Sequence, residues 1–385
     1  MVAVRFEFAT AGSILFGPGT LGELATVTGK LGKCPLVVCG SNSARAQPVV
    51  SAMQAADLKF CCFETRGEPT TEHIKSGVNL ARESGCDVVI GFGGGSVIDS
   101  AKAIAGLATN AGDILEYLEV IGKGRPLVVP ALPCIAIPTT AGTGAEVTRN
   151  AVLASPKHRV KVSLRSPFLL PRVAIVDPEL TFGLPAAVTA YTGLDALTQL
   201  IEPYVSIRAN PITDAFCVEG MNRASRSLRR AFEDGQDRAA REDMALASML
   251  GGLALANSGL GAVHGFAAPI GGMFPAPHGA ICAALLPRVM EINIRALRER
   301  LPKALGRYDR VAAILTGQKE AGARDAIGWV TELCQALQVS GLRTYGVTEG
   351  DCGPLVEEAA KASSMKANPI ALTNEELTEA LKRSL

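Results

Sequence analysis

Histidine is scarce in this chain, with four in 385 residues. Net charge is nearly absent as well: 38 Lys and Arg stand against 37 Asp and Glu, a formal +1. With no basic run either, nothing predicts a nucleic-acid partner or attraction to an anionic membrane. No apolar stretch reaches the roughly 18–20 residues that cross a bilayer. The most apolar segment, Pro126–Pro138, is broken by prolines and reads as a buried strand with its approaches. The opening residues, Met1-Val2-Ala3-Val4-Arg5-Phe6-Glu7-Phe8, lack the basic region and apolar run of a secretion signal. The ten cysteines form no CxxC pair, and only Cys61 and Cys62 are adjacent. They read as small buried hydrophobes in a reducing compartment, which places the protein in the cytoplasm. Internal repeats, low-complexity tracts and the ordinary GxGxxG fingerprint are also missing.

The length of 385 residues is too great for one ordinary core, so two domains are expected. Apolar residues at 48% against 19% charged suit a compact chain rather than long disorder. In the first half, Pro35–Gly40, Leu58–Phe63, Cys86–Gly91, Cys134–Pro138 and Arg172–Asp177 read as buried strands. Between the earlier ones, Ser43–Ala55, Thr71–Ser84 and Val97–Ala108 carry helical spacing. The βαβα order predicts a mostly parallel sheet covered by helices on both faces. After about Leu184 the strand patterns stop, and Ala186–Ser206, Asp214–Phe232, Arg241–Ser258 and Ala280–Arg298 read as helices. The expected division is an α/β doubly wound domain over 1–184 and an all-α domain over 185–385. The more polar Lys303–Ala321 reads as a surface excursion.

Two loops that leave strands carry the first chemical signals. Gly93-Gly94-Gly95-Ser96 follows Cys86–Gly91 and opens a helix that continues through Asp99 and Lys102. Glycines let backbone N–H groups approach a ligand, and the helix N-terminus adds partial positive charge, so a pyrophosphate fits there. The plainer reading makes Ser96 an N-cap with Asp99 as its capping-box partner. The strand–glycine–helix context favours the phosphate. The second loop, Pro138-Thr139-Thr140-Ala141-Gly142-Thr143-Gly144-Ala145-Glu146-Val147-Thr148, interleaves hydroxyls with glycine and suits a ribose, a phosphate or a nicotinamide amide. As a polar turn alone it would only cap the next element.

The helical half carries Asp195, His264 and His278. The two histidines lie fourteen apart, each beside a glycine that leaves room for a ligand. A lone histidine is more often a satisfied core residue, and an aspartate early on a helix can simply favour its dipole. Asp195 and Gln199 are i and i+4, so both face one side of their helix.

Taken together, and in order along nearly the whole chain, these segments resemble the iron-type (group III) alcohol dehydrogenases. Ile14-Leu15-Phe16-Gly17-Pro18-Gly19 is similar to the family's opening strand and turn, and Gly93–Lys102 to its GGGSxxDxAK loop. Pro138–Thr148 is similar to PTTAGTGSEVT, with Ala145 where serine is usual. Lys161 matches a cofactor-contacting lysine, although a surface strand lysine is the plainer reading. Asp177–Thr181, Thr192–Ala196, His264 and His278 follow in their family contexts.

The resemblance implies a dehydroquinate synthase-like fold with the active site between the domains, an NAD(P) cofactor and a divalent metal, zinc or iron. It implies hydride transfer between the dinucleotide and a small alcohol or aldehyde, and a homodimer or higher homo-oligomer. Its dinucleotide residues would be Gly40, Ser41, Asn42, Gly94, Gly95, Ser96, Asp99, Thr139, Thr140, Thr143 and Lys161. Its metal and catalytic residues would be Asp195, His264 and His278, with Gln199 where the family usually carries a third histidine. The histidine usual four residues after the first glycine-flanked one is Ala268 here. After the strand Pro35–Gly40, no acid meets a ribose 2′-hydroxyl in Cys39-Gly40-Ser41-Asn42-Ser43, and Arg45 is near, so NADP(H) is expected to be accepted. The rival readings are a zinc polyol dehydrogenase of the glycerol dehydrogenase kind, a metal-free reductase of the maleylacetate reductase kind, a dehydroquinate-synthase-like cyclase and a non-catalytic binding protein.

Overall fold

The computed structural model describes residues 5–158 and 160–385. Met1–Val4 of the opening octet, Arg159 and the side chain of Ser43 therefore lie outside the described residues. The chain divides into two compact units. One holds Ala9–Thr140 and Gly144–Thr181; the other holds Phe182–Leu385 with Ala141–Thr143 and the N-terminal residues up to Phe8.

In the first unit the strands are β1 Ile14–Phe16, β2 Pro35–Gly40, β3 Cys61–Thr65, β4 Val88–Gly93, β5 Cys134–Pro138, β6 Asn150–Ser155, β7 Val160–Arg165 and β8 Val173–Val176. The helices are α1 Leu24–Leu31, α2 Gln47–Ala55, α3 Thr71–Glu83 and α4 Gly95–Thr109. Six strands form one parallel sheet in the order β1-β8-β5-β4-β2-β3. The period of two along each strand sorts its side chains. On β2, Leu36 and Val38 pack with Ile74 and Val78 of α3 and Ile104 of α4. Val37 and Cys39 point the other way, to Leu24 of α1 and to Val49 and Met53 of α2. Both faces are thus covered, and each fully buried Leu or Ile contributes about 1.5–3 kcal/mol. Gly77 is required where α3 meets α4, because a Cβ there would stand 2.4 Å from Ile104 Cδ1.

The strand order reverses between β2 and β4: the chain steps from β2 outward to β3, then returns to the other side of β2. In open α/β sheets, ligands bind outside the carboxyl ends of strands at such a point. Gly40 ends β2 and Gly93 ends β4, so the glycine loop lies at that place in the topology.

Several expectations need correction. β3 and β4 each begin two or three residues later than the apolar runs suggested, because the polar-flanked starts Leu58–Phe60 and Cys86–Asp87 lie outside the ladder. Only Cys134–Pro138 of the long apolar segment is a strand. Its approach runs exposed past Val128 and is held by Asn110, whose Oδ1 accepts from the N–H groups of Val128 and Val129 at 3.0 Å. The antiparallel pair β6–β7 has no counterpart in the strands expected from apolar runs. Its inward set, Ala151, Leu153, Val162 and Leu164, alternates with polar residues along β7 but with Val152 and Ala154 along β6, so only one of the two strands shows a period of two.

The α4 N-cap is Gly94, with no side-chain cap bond, not Ser96. Asp99 is no capping-box partner either. Its Oδ2 accepts the Val152 N–H at 3.0 Å, and its Oδ1 lies 2.9 Å from Lys102 Nζ. Lys102 is fully buried and also donates to Ala145 O at 2.9 Å and to Thr148 Oγ1 at 3.1 Å. A buried ammonium persists only where its donors are satisfied. Here the satisfied donors tie α4 to the loop after β5, while Asp99 ties α4 to β6.

The second unit is helical: α5 Ala186–Val205, α6 Pro211–Glu233, α7 Arg238–Ser258, α8 Ala262–Met273, α9 His278–Arg300, α10 Gly306–Thr316, α11 Ala323–Ala336, α12 Cys352–Lys361 and α13 Asn374–Lys382. Local chemistry starts several of them. Asn210 and Thr213 form a capping box with Pro211 at the first turn of α6, Asp237 accepts the Ala240 N–H of α7, and Thr373 with Glu376 boxes α13. The segment expected as a surface excursion contains α10, whose Tyr308, Val311, Ala312 and Leu315 are buried; its polar residues lie on the other side of one amphipathic helix. Among the described residues no single helix is long and apolar enough to cross a membrane.

Replacing Lys102 with Met leaves Asp99 without its cation. It should cost about 3–5 kcal/mol of stability, read as a lower urea midpoint. The double substitution with Asp99→Asn should recover part of that loss, and an unchanged midpoint for Lys102→Met would show that the ion pair contributes nothing.

Candidate functional site

The helical unit brings Asp195, His264 and His278 together. Asp195 lies on α5, His264 in the first turn of α8 and His278 at the start of α9. Both flanking glycines meet protein rather than open space, and the one on α9 lets that helix approach α5. A Cβ on Gly279 would stand 2.5 Å from Tyr191 O, so its absence lets the first turn of α9 abut α5. A Cβ on Gly265 would stand 2.7 Å from Met365 Cε.

Asp195 Oδ1 lies 3.3 Å from His264 Nε2 and 3.6 Å from His278 Nε2. Neither contact has hydrogen-bond alignment, and Oδ1 is left buried without a hydrogen-bond partner among the described residues. Gln199, one turn further along α5, is buried too, and its Oε1 is likewise unpartnered. Buried acceptors without donors are costly and uncommon, and converging donor atoms that do not bond one another suit a cation. A fourth donor, absent from the sequence expectations, completes the cluster. Cys282 Sγ is 3.9 Å from His264 Nε2 and 3.7 Å from His278 Nε2, and the four donor atoms lie within 4.8 Å of one another. The signal was available in the sequence: His278 and Cys282 are i and i+4 on one helix.

Electrostatics support the same grouping. Burial alone would raise the Asp195 carboxyl, but His278 and His264 reverse this and hold it below its usual range. Burial also opposes charge on the imidazoles, yet Cys282 and Glu202 lift His264 well above its ordinary value, and Cys282 and Asp195 lift His278 to about 9. A divalent cation would bring positive charge to the same donors and release those protons.

Glu202 is the second residue the sequence expectations missed. It continues the i, i+4, i+7 face of Asp195 and Gln199 on α5. Its Oε2 lies 2.6 Å from His264 Nδ1, and its Oε1 accepts the Val263 N–H at 2.8 Å. With Glu202 accepting from Nδ1–H, the Nε2 lone pair is left available to a cation beside Asp195. A Cβ on Gly261 would stand 2.8 Å from Glu202 Oε1, so glycine is needed for the carboxylate to reach the start of α8. Ala268, one turn after His264, carries no proton-transferring group.

In the α/β unit, the expected dinucleotide residues leave three neighbouring parallel strands. Gly40, Ser41 and Asn42 follow β2, with Ser41, Asn42 and Arg45 exposed. Gly94, Gly95 and Ser96 follow β4 and open α4, whose first turn has no side-chain cap. Thr139 and Thr140 follow β5, and the Thr139 N–H donates to Gly93 O at 2.9 Å. The three glycines differ in their duties. A Cβ on Gly93 would stand 2.6 Å from Val97, whereas one on Gly94 would meet only the Thr140 side chain at 3.5 Å. Gly93 is therefore needed by the fold, whereas a Cβ at Gly94 would make only an ordinary contact beside a helix end that has no side-chain cap.

The other expected residues stand apart from this group or are engaged elsewhere. Asp99 is held by Lys102 and Val152. Lys161, on β7, pairs with Glu68 at 3.0 Å. Thr143 groups with the helical unit, where Gly142 packs against Thr192 so closely that a Cβ would stand 2.7 Å from its Cβ.

Glu202→Gln keeps the size of the side chain but removes the charge on His264 Nδ1. Its expected effect is a loss of about 10- to 100-fold in divalent-metal affinity, measured by calorimetric titration of zinc into metal-stripped protein, with the helical content unchanged. Equal affinities would assign Glu202 to folding alone.

The iron-containing alcohol dehydrogenase family matches residues 11–178, and the C-terminal family of Fe-containing alcohol dehydrogenases matches residues 189–385. Alcohol dehydrogenase 4 of Saccharomyces cerevisiae is 36% identical over 375 residues, covering 96% of each chain. A crystal structure of 1,3-propanediol oxidoreductase superposes with a TM-score of 0.91 at 33% identity, over 99% of this chain and 100% of that one. Sulfoacetaldehyde reductase of Bifidobacterium kashiwanohense, in complex with NAD+, superposes at 0.87 with 27% identity over 99% of each chain. None of these favours the polyol dehydrogenase, metal-free reductase, cyclase or non-catalytic readings. The chain belongs to the iron-containing alcohol dehydrogenase family and is an oxidoreductase enzyme of that family.

Proposed function

We propose that the protein moves hydride between NAD(P)(H) and a small alcohol or aldehyde. Residues 1–184 would carry the dinucleotide, and 185–385 a divalent metal and the substrate. The observation that carries the metal part is the buried, unpartnered Asp195 Oδ1 beside two imidazole nitrogens. When bound, the dinucleotide supplies the hydride acceptor or donor, and the metal polarises the substrate oxygen. Asp195, His264 and His278 would hold the ion, with the Gln199 amide oxygen available beside them.

The chain's own residues do the rest. Glu202 fixes the His264 tautomer, and the uncapped first turn of α4 offers N–H groups and helix-dipole charge to a pyrophosphate. Since Ala268 cannot relay a proton, a water or a substrate hydroxyl takes that part. The names of the relatives, an alcohol dehydrogenase and a 1,3-propanediol oxidoreductase, support a short alcohol as substrate. Ten free cysteines support a reducing, cytoplasmic location. From the family resemblance we also take a homodimer or higher homo-oligomer.

Gly94→Val should weaken dinucleotide binding by about tenfold or more, since a side chain would enter the space before the helix end. Fluorescence titration with NADH and NADPH checks this. The fold should survive, because only the Thr140 side chain stands near the added Cβ; unchanged affinity in the folded variant would remove the loop from the cofactor site.

Oxidation of NADH and NADPH against a panel of short aldehydes, before and after chelation, tests the reaction itself. We expect chelator-sensitive turnover, with NADPH used at least as well as NADH, since Ser41 and Asn42 present no carboxylate to a 2′-phosphate. A preference of about tenfold or more for NADH would overturn the dinucleotide assignment. Full activity of metal-free protein would overturn the metal.

A further inference from the structure

We propose that Cys282 binds the metal as a thiolate, making the donor set Asp195, His264, His278 and Cys282, a set suited to zinc, which a substrate oxygen would join as a fifth ligand. The proposal rests on the metal reading above and concerns which ligand fills the place left by Gln199.

The distances already describe such a set. Bonds of about 2.3 Å to sulfur and 2.0–2.1 Å to nitrogen or oxygen, arranged tetrahedrally, give edges of about 3.6 Å from sulfur to nitrogen and about 3.3 Å from oxygen to nitrogen. Cys282 Sγ lies 3.7 and 3.9 Å from the two Nε2 atoms, and Asp195 Oδ1 lies 3.3 and 3.6 Å from the same atoms. Four of the six edges of the set, between donors on three helices, thus lie within about 0.3 Å of tetrahedral lengths, and all four atoms lie within 4.8 Å of one another.

Other buried cysteines show what packing alone produces. Cys134 belongs to the apolar core of the sheet, where burial pushes its thiol up to about 12, and the Cys334 thiol donates to Ala283 O at 3.7 Å. Cys282 is also buried, but its sulfur stands at hydrogen-bonding distance from two imidazole nitrogens at once, both potential metal ligands, beside a carboxylate oxygen that has no hydrogen-bond partner.

Charge and softness agree with the geometry. The Gln199 amide is a neutral, weak donor, so Asp195 and two imidazoles would leave a divalent ion undercompensated. A thiolate at Cys282 brings the donor charge to −2 and cancels that of the ion; its proton passes to solvent on binding. Thiolate donors favour zinc and cobalt over iron(II) in oxygen- and nitrogen-rich sites.

Cobalt(II), added to the chelator-stripped full-length protein, is the probe. The expected result is one equivalent of cobalt and an intense near-ultraviolet sulfur-to-cobalt charge-transfer band that zinc titration removes. Cys282→Ser should lose that band and weaken zinc binding by about tenfold or more, whereas Cys334→Ser should keep both. One equivalent of cobalt without the band in the parent protein overturns Cys282 as a ligand while the metal reading stands. A band that persists in Cys282→Ser also overturns it. If neither cobalt nor zinc binds, the metal reading falls and this proposal with it. Even if Cys282→Ser fails to fold, a parent protein without the band overturns the assignment.

Discussion

A buried ammonium constrains the α/β unit. Lys102 has no exposed surface, so each of its donors must find an acceptor inside the protein. The acceptors come from Asp99 on its own helix and from Ala145 and Thr148 in the loop after β5. Asp99 in turn receives the Val152 N–H of β6. Two glycine-containing loops that are distant in sequence are thereby held at fixed positions on neighbouring strand ends. The motif that begins Gly93-Gly94-Gly95 and ends at Lys102 thus has two halves. Its glycine end leaves backbone accessible at the mouth of a helix, and its charged end fastens that helix in place.

The helical unit meets the same problem with the opposite charge. Glu202 is buried, and its two oxygens are used by the Val263 N–H and by His264 Nδ1. The helix dipole at the start of α8 helps hold that carboxylate. One residue therefore satisfies a helix terminus and sets which nitrogen His264 presents to Asp195. What remains unsatisfied nearby, Asp195 Oδ1 and Gln199 Oε1, stands out because its surroundings are otherwise so fully paired. In a well-satisfied interior, unpartnered acceptors mark where chemistry is expected.

Much of the α/β unit was legible in the chain itself. The apolar runs of β2, β4, β5 and β8 mark strands buried on both faces, and the spacing in α3 and α4 marks the helices between them. The hairpin β6–β7 was hidden because β6 mixes small and apolar residues with no period of two, and the alternation on β7 lasts only six residues. α10 was misjudged because its polar face is the longer-ranged impression in a short amphipathic segment. In the site, Asp195, His264 and His278 stood out by rarity and context. Cys282 and Glu202 did not, since their only signal, helical spacing from His278 and from Asp195, is shared by many residues that pack without a ligand.

By itself the sequence determined most elements of the parallel sheet, four of the long helices and their order, because periodicity and turn residues act over a few positions and are written locally. It also determined which residue types could bind a metal or a phosphate. Only the tertiary structure decided which of them meet. The approach of α8 and α9 to α5 is helped by Gly261 and Gly279, whose missing side chains matter against Glu202, Asn368 and the Tyr191 carbonyl. Likewise, Asp99 and Lys102 read as part of a phosphate loop until the fold buries them against β6 and the neighbouring loop. Desolvation is the physical reason. Whether a charged group serves the fold or a ligand depends on what surrounds it after burial, and that surrounding is assembled from residues far apart in the chain.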